Sequence, residues 1–252
     1  MMQGKTSTTK TNTSVLMPKD LADFRRRYRN VTNQLADSGL RQFRGNFAQL
    51  RISLARLQDE AEKHNQQAAS GFNVFELLGV VHDEVRTHSA FLADLLDPDG
   101  AHGQKHLFLK SFLRMCARKH PEFPLPADPV ARGLWFIKQE KVTPYGCMDL
   151  VVTCPDLGFL LVIENKVMAG EQEQQLKRYS DWMETQRQHY AHRALVYLTP
   201  SGRESDSSAD CRYFKLSYHD DIYAWLDSAL ADVQAPRIRE TVAQYMEVIA
   251  SL

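Results

Sequence analysis

The chain has 252 residues, of which 43% are hydrophobic and 25% are charged, and its formal net charge is zero. This is the composition of a globular protein with one sizeable core and an appendage. No run approaches the roughly 18 apolar residues of a membrane span, and the N-terminus MMQGKTSTTKTNTS lacks the apolar core of a signal peptide. We therefore expect a cytoplasmic protein that does not engage a membrane. Its four cysteines form no C-x-x-C pair, which disfavours a zinc ribbon.

The charge is divided unevenly along the chain. Residues 1–56 hold eleven Lys and Arg against three Asp, a formal charge of +8, and the remainder of the chain carries −8. A basic arm of this kind is suited to a phosphate backbone. It is equally suited to docking on the acidic body of its own chain or on a second copy.

The N-terminal region is predicted to contain helices. Residues 1–18 are rich in Thr, Ser, Lys and Gly and are expected to be disordered. Apolar residues then recur every three or four positions from Leu21 to Leu35 and again from Leu40 to Leu57, with Ser38-Gly39 between them. We expect a basic helical hairpin over residues 19–70, with a single kinked helix as the alternative.

Residues 71–252 are predicted to form one α/β domain. Apolar segments within 72–97 and 105–119 indicate helices. The strands LWFIKQEKV, MDLVVTC and FLLVIENK then precede a helix over about 171–186, the strands RALVYLT and RYFKL, and helices over about 219–231 and 236–250. This order implies a mixed β-sheet flanked by helices.

The passage MDLVVTCPDLGFLLVIENK places three charged residues at one end of a hairpin. If Pro155-Asp156-Leu157-Gly158 is a symmetric loop, Cys154 faces Phe159 and Asp149 faces Glu164. Facing residues point to the same side of a sheet, and Lys166 shares that side because it lies two residues beyond Glu164.

This trio has a definite chemical use. Two adjacent carboxylates repel each other unless a proton or a cation lies between them. Oxygen ligands favour Mg²⁺, with Mn²⁺ as a substitute, over zinc. A lysine beside the metal orients a water molecule and neutralises charge that develops on a phosphate. Alone, each residue fits a strand end or a surface ion pair better, but together they favour a catalytic site.

At these residues the sequence resembles the PD-(D/E)XK nuclease superfamily, whose signature is an acid followed by acid-x-lysine at a strand end. Here the signature is Asp149 and then Glu164-Asn165-Lys166. Gln175 and Tyr179 match the Q-x-x-x-Y motif of the RecB-like branch. The resemblance implies a restriction-endonuclease-like fold, in which this pair holds the site and the nucleic-acid backbone.

The segment HDEVRTHSAFLADLLDPDGAHG is similar to one subfamily of this group. The resemblance implies that Glu84 is a third metal ligand, with the backbone carbonyl of Asn165 as a further one. It also places His88 and His102 near the site, either in contact with substrate or behind the ligands. As plain residues, both histidines also fit hydrogen-bonded helix or turn positions.

The implied function is a magnesium-dependent nuclease acting on nucleic acid, with DNA expected ahead of RNA, in a prokaryotic defence or repair setting. The expected partners are a second copy bound through the N-terminal helices, or another protein of a multi-component system. One alternative is a catalytically silent nucleic-acid-binding or complex-forming protein on the same fold. Another is a zinc hydrolase using His102 with His106, or Glu84 with His88.

Overall fold

The computed structural model describes residues 18–69, 71–125, 133–206, 208 and 211–252. The chain forms two compact units, Met1–Gly71 and Phe72–Leu252. The expected disordered tail lies outside the described residues except for Pro18, which is the first residue of a helix. No described helix combines the length and the apolar character needed to cross a membrane.

The first unit contains one uninterrupted helix, α1, over Pro18–Ala68. The predicted helical hairpin is therefore wrong, because the helix continues through Ser38-Gly39. A glycine inside a helix costs only about 1 kcal/mol relative to alanine, which weakens a helix without ending it. Ser38 Oγ donates to the carbonyl of Leu35 at 2.9 Å, so its hydroxyl group is satisfied inside the helix.

The second unit is built on a five-stranded sheet in the order β1-β2-β3-β4-β5. The strands β1, β2 and β3 pair antiparallel, and β4 and β5 continue the sheet in parallel. All seven residues of β3 are buried, as expected for a central strand covered on both faces. The strands are β1 (Phe136–Thr143), β2 (Gly146–Cys154), β3 (Phe159–Asn165), β4 (His192–Thr199) and β5 (Phe214–Ser217).

Helices pack on both faces of the sheet, so the predicted mixed α/β architecture is confirmed. One apolar core lies between the sheet and α3, α4, α6 and α7, and a smaller core lies beneath α5. The helices of this unit are α2 (Val74–Leu77), α3 (Ala90–Leu96), α4 (Leu107–Lys119), α5 (Gln175–Thr185), α6 (Tyr223–Leu230) and α7 (Pro236–Ala250). Two π-helical turns, Glu84–Ser89 and Tyr218–Ile222, lead directly into α3 and α6.

Two helices begin later than predicted. The residues Lys105 and Gln174 have φ angles of 52° and 49°, in the left-handed region. A residue in that conformation does not continue a right-handed helix, so α4 and α5 begin just after these positions.

The hairpin between β2 and β3 has the predicted register. Cys154 pairs with Phe159 and Val152 with Leu161. The connection is a 3₁₀ turn over Pro155–Leu157 followed by Gly158, whose φ of 55° is a conformation that favours glycine. The local turn chemistry therefore fixes which residues face each other at the far end of the hairpin.

Candidate active site

Asp149 and Glu164 lie side by side where the paired part of the β2–β3 hairpin ends. The last ladder pair is Leu150 with Ile163, one position before them. Asp149 Oδ2 then accepts a hydrogen bond from the backbone N–H of Asn165 at 2.7 Å, which ties the aspartate to the end of β3. Glu164 has no solvent-exposed surface. The structure thus brings the two predicted carboxylates together.

Burial and mutual repulsion disfavour ionisation of this pair. Desolvation, and then the charge of Asp149, raise the pKa of Glu164 to about 8. Desolvation also raises the pKa of Asp149 to about 6, although its hydrogen bond from Asn165 acts in the opposite direction. Two buried acids held in this state favour a bound cation, which would offset both the desolvation and the repulsion.

Lys166 completes the predicted trio on the same side of the sheet. Its Nζ lies 2.6 Å from Glu164 Oε1, and both side chains are almost fully buried. Burial by itself would lower the pKa of Lys166, but the adjacent Glu164 outweighs it and the pKa is raised. The backbone N–H of Lys166 donates to the carbonyl of Leu198 at 2.8 Å, so the lysine is fixed to β4 as well. The ammonium group is therefore charged and held beside the carboxylates.

Glu84 reaches the same region from the π-helical turn that precedes α3. Its Oε1 accepts hydrogen bonds from three successive backbone N–H groups, at 2.9, 2.6 and 2.6 Å, in the loop that follows Lys166. Its charge also contributes to the pKa values of Asp149 and Lys166. Glu84 therefore anchors the loop after β3, a role that its sequence context did not reveal. π-Helical turns are frequent at functional sites.

A fourth acid, Glu140, was not found by sequence reasoning. It lies directly opposite Asp149 in the β1–β2 register: its neighbours pair with Leu150 and Met148, while Glu140 itself, with a φ of 49°, interrupts the ladder. Its charge is one of the causes that raise the pKa of Asp149. Its Oε1 is buried and has no hydrogen-bond partner among the described residues. Only the β1–β2 register, which the sequence did not provide, would have revealed it.

Gln175 and Tyr179 form a buried brace on α5. Gln175 Nε2 donates to Tyr179 Oη at 3.0 Å, and Tyr179 Oη donates to the backbone carbonyl of Cys147, two residues before Asp149. Burial and then the charge of Glu164 raise the pKa of Tyr179. The pair thus fastens the helix to β2 next to the carboxylates. Its polar groups bond to protein atoms, so the geometry matches holding the site more closely than binding a substrate.

The side chain of Asn165 points to the opposite side of β3. Its amide donates to Ser89 Oγ at 3.1 Å and accepts from Tyr218 Oη at 2.9 Å.

His88 is fully buried, with Nδ1 3.0 Å from Tyr245 Oη and Nε2 2.8 Å from the carbonyl of Val81. Burial lowers the pKa of His88, so it is held neutral. Both ring nitrogens of His88 are engaged by protein atoms, and its expected role, in contact with substrate or behind the ligands, stays a prediction.

His102 closes a turn. Its Nε2 lies 2.8 Å from the carbonyl of Asp97, and its Nδ1 accepts from the backbone N–H of Gln104 at 2.9 Å. The ring stacks edge-on against Phe108. Both nitrogens are therefore used within the turn, which disfavours the alternative His102–His106 zinc site. The expected role of His102, in contact with substrate or behind the ligands, stays a prediction.

The donor set fits a hard divalent cation. As the side chains are placed, no three His, Cys, Asp or Glu residues in the described part of the chain converge closely enough to hold a metal ion. The acids at the end of the hairpin nevertheless offer only carboxylate oxygens. Apart from the ion pair with Lys166, the buried oxygens of Glu164 have no hydrogen-bond partner in the described residues. Buried carboxylate oxygens of this kind are suited to Mg²⁺ or Mn²⁺.

Comparison with known proteins supports the geometric result. A family model described as the PD-(D/E)XK nuclease superfamily matches residues 72–247, which includes the whole sheet and the site. No curated protein and no solved structure matches the chain.

Proposed function

We propose a function for this chain from one premise: it belongs to the PD-(D/E)XK nuclease superfamily. The proposed activity is metal-dependent hydrolysis of phosphodiester bonds in nucleic acid. The observation that carries it is the meeting of Asp149 and Glu164 with the Lys166 ammonium group, 2.6 Å from Glu164, at a buried strand end. A catalytically silent relative has no need for this combination, because two buried acids without a cation cost stability.

In this proposal, Asp149 and Glu164 hold Mg²⁺, or Mn²⁺ in its place, together with the backbone carbonyl of Asn165. Glu84 contributes through the carboxylate oxygen that does not bind the loop. When bound, the metal lowers the pKa of a water molecule and polarises the phosphoryl oxygen. Lys166 orients that water molecule and stabilises the negative charge that develops on the phosphate.

The other residues support this centre. Gln175 and Tyr179 hold β2 through the backbone carbonyl of Cys147. Glu84 holds the loop after Lys166 through its hydrogen bonds to the loop backbone. We propose DNA as the substrate, ahead of RNA, because DNA is the default for the superfamily; the basic N-terminal region offers charge for the phosphate backbone of either nucleic acid. The proposed setting is prokaryotic defence or repair in the cytoplasm, in which a partner protein of a multi-component system supplies any nucleotide-driven motion.

The direct test is incubation of the purified chain with a panel of labelled single- and double-stranded DNAs and RNAs. Parallel reactions contain Mg²⁺, Mn²⁺ or EDTA. We expect cleavage of at least one DNA with either metal and none in EDTA. Undiminished cleavage in EDTA, or none of any substrate with either metal, would contradict the proposed activity.

Replacing Lys166 by alanine should separate chemistry from binding. Because its charge acts on the water molecule and the transition state, turnover should fall about 100-fold or more, while substrate affinity changes little. The matched control is Lys177→Ala, which removes a lysine of α5 that forms an ion pair with Asp181 in solvent. Single-turnover cleavage and binding by fluorescence anisotropy provide the two readouts. Equal losses of affinity and turnover at Lys166 would make it only a phosphate contact.

A further inference from the structure

The loop that follows β4 begins next to the candidate site. β3 and β4 are parallel, and Glu164 is the ladder partner of Tyr197. The backbone N–H of Lys166 also donates to the carbonyl of Leu198 on β4. Neighbouring strands are about 4.8 Å apart, and parallel strands end at the same edge of a sheet, where ligands bind. A long substrate bound at the site therefore passes close to residues 200–206.

Glu171 ties this loop to the loop that follows β3. Its Oε1 accepts hydrogen bonds from Tyr197 Oη at 2.5 Å, from Arg203 Nη1 at 2.8 Å and from the backbone N–H of Asp206 at 3.2 Å. Its Oε2 accepts from Ser205 Oγ at 2.6 Å. The Glu171 side chain is 8% exposed, so these bonds are largely removed from solvent. The carboxylate therefore fixes Tyr197 and the start of the loop together.

Arg203 is held by one nitrogen of its guanidinium group. Besides Glu171, its Nη1 lies 3.2 Å from the carbonyl oxygen of Glu204 and 3.3 Å from Asp206 Oδ2. Three acceptors are more than the two hydrogens of Nη1 can serve fully. The guanidinium carbon lies 5.7 Å from the centre of the Tyr197 ring, which is a cation–π contact. The group is therefore fixed in place over the ladder partner of Glu164.

The opposite edge of the Arg203 guanidinium group, formed by Nε and Nη2, makes no hydrogen bond within the described residues. The side chain is 42% exposed. Nε–H and one N–H of Nη2 are parallel donors, and this fork matches two oxygens of a phosphate group. Because Nη1 is already held, the side chain loses little further freedom when it binds an anion.

We propose that Arg203 binds a phosphate group of the nucleic acid, next to the phosphate that is cleaved. This inference rests on the proposed nuclease function and adds a substrate contact to it. In that function Glu164 and Lys166 act at the cleaved phosphate, and Arg203 lies over a residue of the adjacent strand. Glu171 and Tyr197 are positioning residues, since they act on the substrate only through Arg203.

Arg193, at the other end of β4, shows the contrast with an arginine used only by the protein. Its Nη2 donates to both carboxylate oxygens of Glu184, at 2.9 and 3.3 Å, and its Nη1 donates to the carbonyl of Tyr190 at 2.8 Å. Its partner Glu184 is 59% exposed. Both amino nitrogens of Arg193 are engaged, whereas Arg203 is held at Nη1 by an almost buried acid. Arg193 is therefore the matched control.

Binding in EDTA tests the contact without cleavage. The probes are fluorescently labelled DNA and RNA oligonucleotides, single-stranded and as duplexes, and the readout is fluorescence anisotropy. Arg203→Gln should raise the Kd of the tightest-bound probe at least about 10-fold. The slope of log affinity against log salt concentration should become shallower by about 0.7 to 0.9, because one phosphate contact is lost. Arg193→Gln should leave both the Kd and the slope unchanged.

Arg203→Lys separates substrate binding from a structural role. Lysine keeps a charge that can pair with Glu171, but it lacks the second donor edge. Its melting temperature should therefore match that of the parent chain, while its Kd should be at least about 5-fold higher. In reactions with Mg²⁺, Arg203→Gln should raise KM more than it lowers kcat, which is the reverse of the effect expected for Lys166→Ala.

The outcomes distinguish this inference from the nuclease proposal. Parent-like binding by Arg203→Lys, or an unchanged salt slope in Arg203→Gln, would overturn the phosphate contact even if the parent chain cleaves nucleic acid. A parent chain that binds a probe but never cleaves it would contradict the nuclease activity, and a shallower slope in Arg203→Gln would still support the contact. A parent chain that binds none of the probes would overturn the inference.

Discussion

Replacing Asp149 by asparagine is expected to reduce metal-dependent cleavage at least about 1000-fold, and Glu164→Gln should do the same. Each substitution removes a charged ligand of the proposed metal, and a loss of about 4 kcal/mol of transition-state stabilisation corresponds to this factor. Both replacements keep the shape of the side chain, so the protein should still fold. Initial rates on the best substrate of the nucleic-acid panel, with Mg²⁺ in excess, provide the measurement.

The control for this experiment is Asp227→Asn. Asp227 is an exposed acid on α6, and its replacement changes the net charge by the same amount. Its activity should equal that of the parent chain. If Asp149→Asn and Glu164→Gln remain folded and retain most of the activity, the carboxylate pair is not the metal centre.

The second large effect concerns stability in the absence of metal. Burial and the adjacent Asp149 raise the pKa of Glu164 from 4.5 to about 8 in the folded protein. Since the folded state holds this proton more tightly than the unfolded chain, the stabilisation is full below pH 4.5. It is lost as the pH rises from 4.5 to about 8. Asp149, with its pKa raised from 3.8 to about 6, acts in the same direction over a lower range.

We therefore expect the metal-free protein to lose on the order of 3 kcal/mol of unfolding free energy from Glu164 between pH 5 and pH 8. Glu164→Gln cannot ionise and should lack this loss. Its melting temperature should exceed that of the parent chain by roughly 5–10 °C at pH 8, but by little at pH 5. Mg²⁺ should stabilise the parent chain more at pH 8, because the metal replaces the proton.

Thermal melts of both proteins in EDTA, repeated with Mg²⁺, measure these differences directly. The comparison between the two proteins removes the contributions of titrating groups that do not interact with Glu164. If the melting temperatures of the two proteins change with pH by the same amount from pH 5 to pH 8, ionisation of Glu164 does not cause the loss of stability. A Mg²⁺ effect of equal size in Glu164→Gln would place the metal elsewhere.

The amino-acid sequence by itself determined the β2–β3 hairpin that carries the candidate site. Pro155 and Gly158 define a short turn, and the apolar runs on both sides of it allow only one register that keeps them buried. Side chains alternate strictly along a strand, so this register was enough to place Asp149 and Glu164 together and Lys166 on their side. The spacing of Gln175 and Tyr179 on one helix was likewise readable, because residues four apart share a helix face.

Other features were decided only by the tertiary structure. Glu140 lies opposite Asp149 because β1 pairs with β2 in this register, and Glu84 binds the backbone of residues 167–169 from more than eighty positions away. His88, predicted near the site, is held by a hydrogen bond to Tyr245 of α7, a contact that the sequence did not indicate. Local spacing specifies what lies on one helix face or across one short turn. Contacts between distant segments depend instead on how the helices pack against the sheet, and no short-range pattern in the sequence encodes that packing.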